Sequence, residues 1–232
     1  MAAKRSGAQG KRSQRMGVEP PPQPNSEPAL SLDRIVLTAV ELLDAQGVDG
    51  LTMRRLADRL GSGVMSLYWH VDNKESVFDL ALDSVLGYRG SPQIVGAQDW
   101  RTEIIDMLED WRASMLRHPW SVSLLSSRAL GPNILSRLEL LGKTLSRAGV
   151  ADADLNVAIW SLWNYLMGAT ITRTSFDLSG GDRAASQPRA GEPYPTIERS
   201  RLLCDDDWIG IFRKGLDALL VGLAPSQNRS LK

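Results

Sequence analysis

The chain has 232 residues, 43% hydrophobic and 23% charged, and its basic and acidic residues balance to a formal net charge of zero. That is enough apolar chain for one or two globular units with a real core. It is too little net charge for a generic polyanion binder, so any grip on nucleic acid has to come from local patches of Lys and Arg. The single cysteine, Cys204, excludes an internal disulfide and a cysteine zinc cluster and fits a reducing, cytoplasmic setting.

Residues 1–30 read as a disordered arm. They hold Gly, Gln and Ser, a proline-rich run at 20–24, and Lys4, Arg5, Lys11, Arg12 and Arg15 against Glu19 and Glu27. Two roles are open to the arm: a solubilising tail, or a segment that follows DNA phosphates or enters a minor groove. No apolar stretch follows its basic residues, so no secretory signal is expected. The longest apolar-rich stretch, 157–171, contains Ser161 and Asn164 and falls short of the roughly 20 residues that a membrane span needs.

A helix-turn-helix unit with a connecting helix is expected over 31–88. Ser31 is a good N-cap, and Ile35, Val36, Ala39, Val40, Leu42 and Leu43 form a helical stripe that Gly47 stops. Thr52 caps a short second helix carrying Leu56 and Ala57. A turn follows at 60–63, and a third helix over 64–71. Asn73 caps a fourth, with Val77, Leu80, Ala81 and Val85 inward, ending near Gly87.

From 95 to 225 the pattern is all helical. Ile104, Leu108, Trp111 and Met115 mark a helix over 100–117, ended by His118-Pro119 because proline disfavours helix in the residue before it. Pro132 starts another, with Leu135, Leu138, Leu141 and Leu145, stopped by Gly149. A third runs over 154–176, a long Gly-, Pro-, Arg- and Ser-rich loop over 177–200, and a last helix over 206–223 with Trp208, Phe212, Leu216, Leu219 and Leu223. No strand and no repeat is expected, so the fold class is all-α.

The third helix carries the functional signal. At 100° per residue Val64, Leu67 and Val71 point inward, while Met65, Ser66 and Trp69 point outward with Tyr68 and His70 on the flanks. A tryptophan facing water needs a cover, either the fourth helix or a loop, or else a partner molecule. The surroundings favour the partner. Two short helices across a glycine turn make a helix-turn-helix, whose second helix enters the major groove. Arg54 and Arg55 open the preceding helix within reach of phosphates or a guanine edge. Thr52 and Asn73 mark helix N-termini, which suit phosphates, and Lys74 adds a further donor.

The run Leu51-Thr52-Met53-Arg54-Arg55-Leu56-Ala57, then Leu60-Gly61, Ser66-Leu67-Tyr68-Trp69-His70-Val71 and Asn73-Lys74 closely resembles the DNA-binding domain of the TetR family, in particular its tetracycline-repressor branch. The resemblance covers about 31–86. It implies that Arg54 touches a base or phosphate, that Val64, Met65 and Ser66 face the groove, and that Tyr68, Trp69, His70 and Lys74 hold the backbone of double-stranded operator DNA. Gly63, Val64 and Met65 depart from that branch by offering no polar side chain for a bidentate base contact. Readout is then left to Arg54, Ser66 and apolar contacts with thymine methyl groups.

The helical half resembles the same branch in layout, which implies an effector-binding and dimerisation domain. The helix over 154–176 is apolar on almost every face, with Trp160, Trp163, Tyr165, Leu166 and Met167 going most of the way round it. Together with the helix over 206–223 it is expected to form a homodimer's four-helix interface. Met107, Trp111, Met115, Trp160, Trp163, Asn164 and Met167 are the candidate ligand-binding residues, although aromatic and methionine residues at this spacing also build plain core. The tetracycline-repressor branch holds a magnesium chelate through histidines. Here His70 falls on the DNA side and His118 at a helix end, so no metal and no cofactor is expected, and the effector would be a small, largely apolar or aromatic molecule.

Two histidines, one late cysteine and scattered carboxylates make no catalytic triad, paired acid or metal box, and Gly180-Gly181 lacks the ending of a phosphate loop. An enzyme is not expected. The expected function is a sequence-specific transcriptional regulator, a repressor released by its ligand. The other reading is a DNA-binding regulator without a small-molecule effector, answering to a protein partner or to its own concentration.

Overall fold

The computed structural model describes residues 30–87, 99–125, 127–178, 194–200 and 207–223. All but the last residue of the N-terminal arm expected over 1–30, the central part of the loop expected over 177–200, and Cys204 lie outside the described residues. Among the described residues there are ten helices and no strand. None of those helices is long and apolar enough to cross a membrane.

The first unit is built on α1 (Leu32–Gly50), α2 (Met53–Leu60), α3 (Val64–Leu67) and α4 (Lys74–Leu86). The side chain of Ser31 accepts a hydrogen bond from the Arg34 N–H and caps α1. Ile35, Ala39, Leu42 and Leu43 then recur at helical spacing and bury one face of α1 against α2 and α4. Gly47, expected to stop this helix, takes φ +68° and interrupts its regular path, which a residue without Cβ tolerates, and a further helical turn follows to Gly50. The expected third helix is also shorter: only Val64–Leu67 is α-helical, and turns with His70 N–H and Val71 N–H on the Leu67 carbonyl complete it.

The second unit holds α5 (Trp100–Arg117), α6 (Trp120–Leu125), α7 (Pro132–Arg147), α8 (Asp152–Leu178), α9 (Pro195–Ser200) and α10 (Trp208–Leu223). Two short helices were not anticipated. α6 restarts just after the Pro119 break, and α9 occupies the end of the segment expected as a loop, with Pro195 at its first position. α5 lies against α7, α8 and α10, so its inner face, Ile104, Leu108, Trp111 and Met115, is fully buried.

α4 belongs to both units. It packs on α1 on one side and on α5, α6 and α7 on the other, and Val77, Phe78, Ala81, Leu82, Val85 and Leu86 join a single core that continues from Ile35 to Leu220. Burying each of these large side chains stabilises by about 1.5–3 kcal/mol. Polar bonds add direction. Asp83, also buried, accepts hydrogen bonds from the Asn133 N–H (3.0 Å) and the Ile134 N–H (3.0 Å), so a carboxylate from α4 caps the N-terminus of α7. The helix N-terminus carries partial positive charge and offsets the burial of that anion. Ser114 Oγ on α5 donates to the Val85 carbonyl. Arg128 lies over the Phe78 ring, pairs with Glu75, and reaches Asp79 at 3.1 Å.

Gly131 sits at the N-cap of α7, where a Cβ would stand 2.3 Å from Asp83 Cγ. The Gly131→Ala variant should therefore lose about 1–3 kcal/mol of stability, as overpacked sites do. Urea unfolding is the check, and a midpoint equal to wild type would remove the close Asp83 approach from the account.

Candidate functional site

The helix-turn-helix is set by local rules. Thr52 Oγ1 accepts the Arg55 N–H at 3.2 Å and starts α2. Gly61 ends it in the left-handed conformation, with its own N–H on the Asp58 carbonyl and the Ser62 N–H on the Ala57 carbonyl. Asn73 Oδ1 accepts the Ser76 N–H at 2.8 Å and starts α4. Leu56, Ala57, Leu60, Leu67 and Val71 close over the core, which fixes the rotation of α3 and of the turns after it.

That rotation leaves the expected face outward. Met65 is 74% exposed and Trp69 87% exposed, with Ser66, Tyr68 and His70 exposed around them, while Val64 is half-buried. Trp69 therefore packs under neither α4 nor a loop. An indole offers about 150–250 Å² for burial, and leaving most of it in water forgoes a few kcal/mol at about 25 cal/mol per Å². Lys74 is half-buried, with Nζ 5.0 Å from the Phe78 ring centroid at the start of α4. Arg54 is exposed.

Arg55 departs from expectation. Its Nη1 donates to Gln46 Oε1 at 2.9 Å and to the Gly50 carbonyl at 3.1 Å, which braces the kinked end of α1. Carbonyls in the last turn of a helix lack partners within it, and a guanidinium one turn into the next helix answers one of them. Its reach toward phosphate is reduced accordingly.

The seven expected ligand residues separate into three groups. Met107, Trp111 and Met115 are buried on α5, and Trp111 meets the half-buried Trp163 edge-on with ring centroids 5.0 Å apart. Met167 lines a groove of about 670 Å³ between α1, α6 and α8, together with Leu43, Asp44, Trp120 and Ile171. Trp160, 55% exposed, and Asn164, also exposed, lie on the far side of α8 and not in the interior. The reason is helical phase. Ala158, Leu162, Leu166 and Thr170 face the core, which turns Val157, Trp160, Asn164, Gly168 and Ile171 outward.

The groove contains a contact that the sequence did not suggest. Asp44 Oδ1 on α1 receives the Trp120 Nε1–H at 2.7 Å and lies 2.8 Å from His118 Nδ1. In the sequence Asp44 is only a polar position on α1 and His118 only a helix end before proline. Similarly, the buried Arg137 on α7 meets Asp110 and lies over the Trp111 ring, and the buried Glu103 on α5 pairs with Arg147. These pairs lock α5 to α7. Burial raises the Tyr165 hydroxyl pKa above its usual value, against the opposing effect of Arg112, and that hydroxyl donates to the Phe212 carbonyl at 3.1 Å.

Two family models match the chain: "Bacterial regulatory proteins, tetR family" over residues 35–81 and "Tetracyclin repressor-like, C-terminal domain" over residues 92–225. The chain is similar to an HTH-type transcriptional regulator of Saccharopolyspora erythraea, 38% identical over 211 residues that cover 88% of this chain and 89% of that protein. Among solved structures it resembles the Streptomyces coelicolor TetR family protein ActR in complex with actinorhodin (TM-score 0.72, 27% identity, covering 88% of this chain and 100% of that one). It also resembles BioQ with its natural double-stranded DNA operator (TM-score 0.61, 28% identity, covering 84% of this chain and 99% of that one). An exposed recognition turn, a helix shared between two units and a second unit of packed helices thus coincide with both halves of one family, and the chain belongs to the TetR family of DNA-binding transcriptional regulators.

Proposed function

We propose that the protein is a homodimeric repressor that a small, largely apolar or aromatic ligand releases from its operator. The observation that carries this reading is the double membership of α4. A helix buried in both units, with Asp83 bonded to the α7 N-terminus, cannot keep its position when α5–α8 rearrange. α4 begins three residues after the turn that holds Trp69 and His70, so its displacement moves the recognition surface. Binding of a ligand to one arrangement of the bundle then weakens DNA binding by the difference in its affinity for the two arrangements, and a few kcal/mol suffices. The similarity to ActR, whose structure holds actinorhodin, supports control by a small molecule.

Two DNA-reading units are needed because one short helix spans few base pairs and a two-fold dimer reads two half-sites. The outward stripe of α8 and the exposed Ile211 and Val221 of α10 supply an apolar surface for a second copy. Trp69, Tyr68, His70 and Lys74 grip the DNA backbone, Thr52 presents the α2 N-terminus to phosphate, and Arg54, Ser66, Val64 and Met65 meet the bases. Phosphate contacts set register while base contacts set sequence preference.

On operator fragments selected by the wild-type protein, Trp69→Ala should lose roughly 1–3 kcal/mol of binding free energy. Its folding stability should change by less than about 0.5 kcal/mol, since the indole touches little of the protein. Gel-shift titration and thermal melting give the two numbers, and unchanged affinity would remove Trp69 from the interface. Trp160→Glu places a charge in the outward stripe of α8, so sedimentation should show monomers where wild type shows dimers. A wild-type monomer, or a dimer indifferent to Trp160→Glu, would count against this interface. For ligand control, a compound that quenches the buried tryptophans should release operator DNA over the same concentration range. Quenching without release would leave regulation by the bundle unsupported.

A further inference from the structure

Two arginines are buried among the described residues, and they are treated differently. Arg137 meets the Asp110 carboxylate. Arg112, on α5 and 7% exposed, has no such partner. Its guanidinium lies over the Phe212 ring, with Cζ 4.8 Å from the centroid, and, like the Nε of Arg137, its Nε is sealed from solvent with no hydrogen-bond acceptor among the described residues, so the missing carboxylate is what sets Arg112 apart. The neighbouring residue Trp111 repeats the pattern: its Nε1–H is also sealed and unanswered. Glu109, the carboxylate that acts on Arg112, is held by Arg213, with Nη2 at 2.7 Å. Arg173, the neighbouring cation, pairs with Asp177, with Nε at 2.9 Å.

Burying a guanidinium is offset only by a counter-charge with good hydrogen bonds, and an aromatic face answers it in part. The surroundings make the deficit larger. Burial first, and then the positive Arg173, hold the Arg112 pKa below its usual range, although Tyr165 and Glu109 act in the opposite sense. Tyr165 and Arg173, both half-buried on α8, bring a hydroxyl and a second guanidinium to the same place. The Tyr165 ring stacks on Phe212 with centroids 5.4 Å apart, and Arg173 lies over Trp208. The result is one buried cation without a paired carboxylate, walled by flat aromatic rings.

We propose that Arg112 is an anion-binding residue for the effector: the ligand is an aromatic acid whose carboxylate, or an equivalent monoanionic group, is taken by the Arg112 guanidinium, with Arg173 beside it. This rests on the reading that α5–α10 take a small molecule, and it specifies the chemistry of that molecule. Arginine suits the task because its planar donors match a carboxylate bidentately. In the free protein the cation is tolerated on Phe212. With the acid bound, the sealed donor gains its acceptor.

The test uses the full chain and two dyes with the same ring system, anionic 1-anilinonaphthalene-8-sulfonate and neutral N-phenyl-1-naphthylamine, read by fluorescence. Arg112→Gln should weaken the anionic dye by about tenfold or more, the worth of a charge-assisted hydrogen bond, and leave the neutral dye as in wild type. Arg112→Lys should retain part of the affinity for the anion. The Tm of ligand-free Arg112→Gln should equal or exceed that of wild type, because the variant removes a buried cation that lacks a counter-ion. A parallel loss of both dyes with a lowered Tm would show a structural arginine and overturn the proposal. So would an Arg112→Gln protein that binds the anionic dye as wild type does. In either case binding of both dyes to wild type would leave the ligand-controlled reading standing, whereas failure of wild type to bind either dye would count against both. Should Arg112→Gln not fold, competition on wild type decides: 2-naphthoate should displace the anionic dye and 2-naphthalenemethanol should not, and equal displacement would overturn the anion site.

Discussion

The Asp83 carboxylate at the N-terminus of α7 is the interaction on which the arrangement of the two units turns. It is buried, so it needs partners, and it finds them in the backbone N–H groups of Asn133 and Ile134. Those groups belong to a helix that has no side-chain cap of its own, since Gly131 stands at its N-cap. Each side thus satisfies the other's unmet requirement. A serine at Gly131 would cap α7 locally and would also exclude Asp83. The glycine keeps the cap in trans and makes α4 inseparable from the effector bundle.

Around that joint the molecule divides its apolar surface in two. The inner part is continuous from α1 to α10, so the units share a core and do not merely touch. The outer part includes Met65 and Trp69 on the recognition turn and Val157, Trp160, Ile171 and Val221 on α8 and α10. Large exposed side chains in contiguous patches are unfavourable for an isolated protomer and mark places where another molecule docks. Such side chains stand both beside the helix-turn-helix and on the long helices α8 and α10. The Asp44 contact with Trp120 and His118 adds a further joint between α1 and α6. The helical bundle therefore holds both of the longest helices of the DNA-binding unit, α1 through Asp44 and α4 through Asp83.

The parts legible in the sequence were those governed by near neighbours. Ser31, Thr52 and Asn73 each cap the helix that follows, and the inward Leu67 and Val71 against the outward Met65 and Trp69 follow from helical phase alone. The candidate DNA surface was legible for the same reason, because a short motif carries its own geometry. Arg55 was misjudged because its partner, the Gly50 carbonyl, exists only once α1 kinks at Gly47 and continues. Trp160 and Asn164 were misjudged because α8 is apolar nearly all round, and composition without a dominant face cannot say which side meets the core.

By itself the sequence determined the all-α class, the capped helices, and the helix-turn-helix with its outward tryptophan. Each of these is a property of one residue type or of residues within a few turns of each other. Only the tertiary structure decided that Asp83 caps α7, that Asp44 holds Trp120, that Glu109 is engaged by Arg213 and not by Arg112, and that α8 presents Trp160 outward. Those outcomes join positions tens of residues apart, where no local spacing rule operates and the packing of whole helices selects the partner.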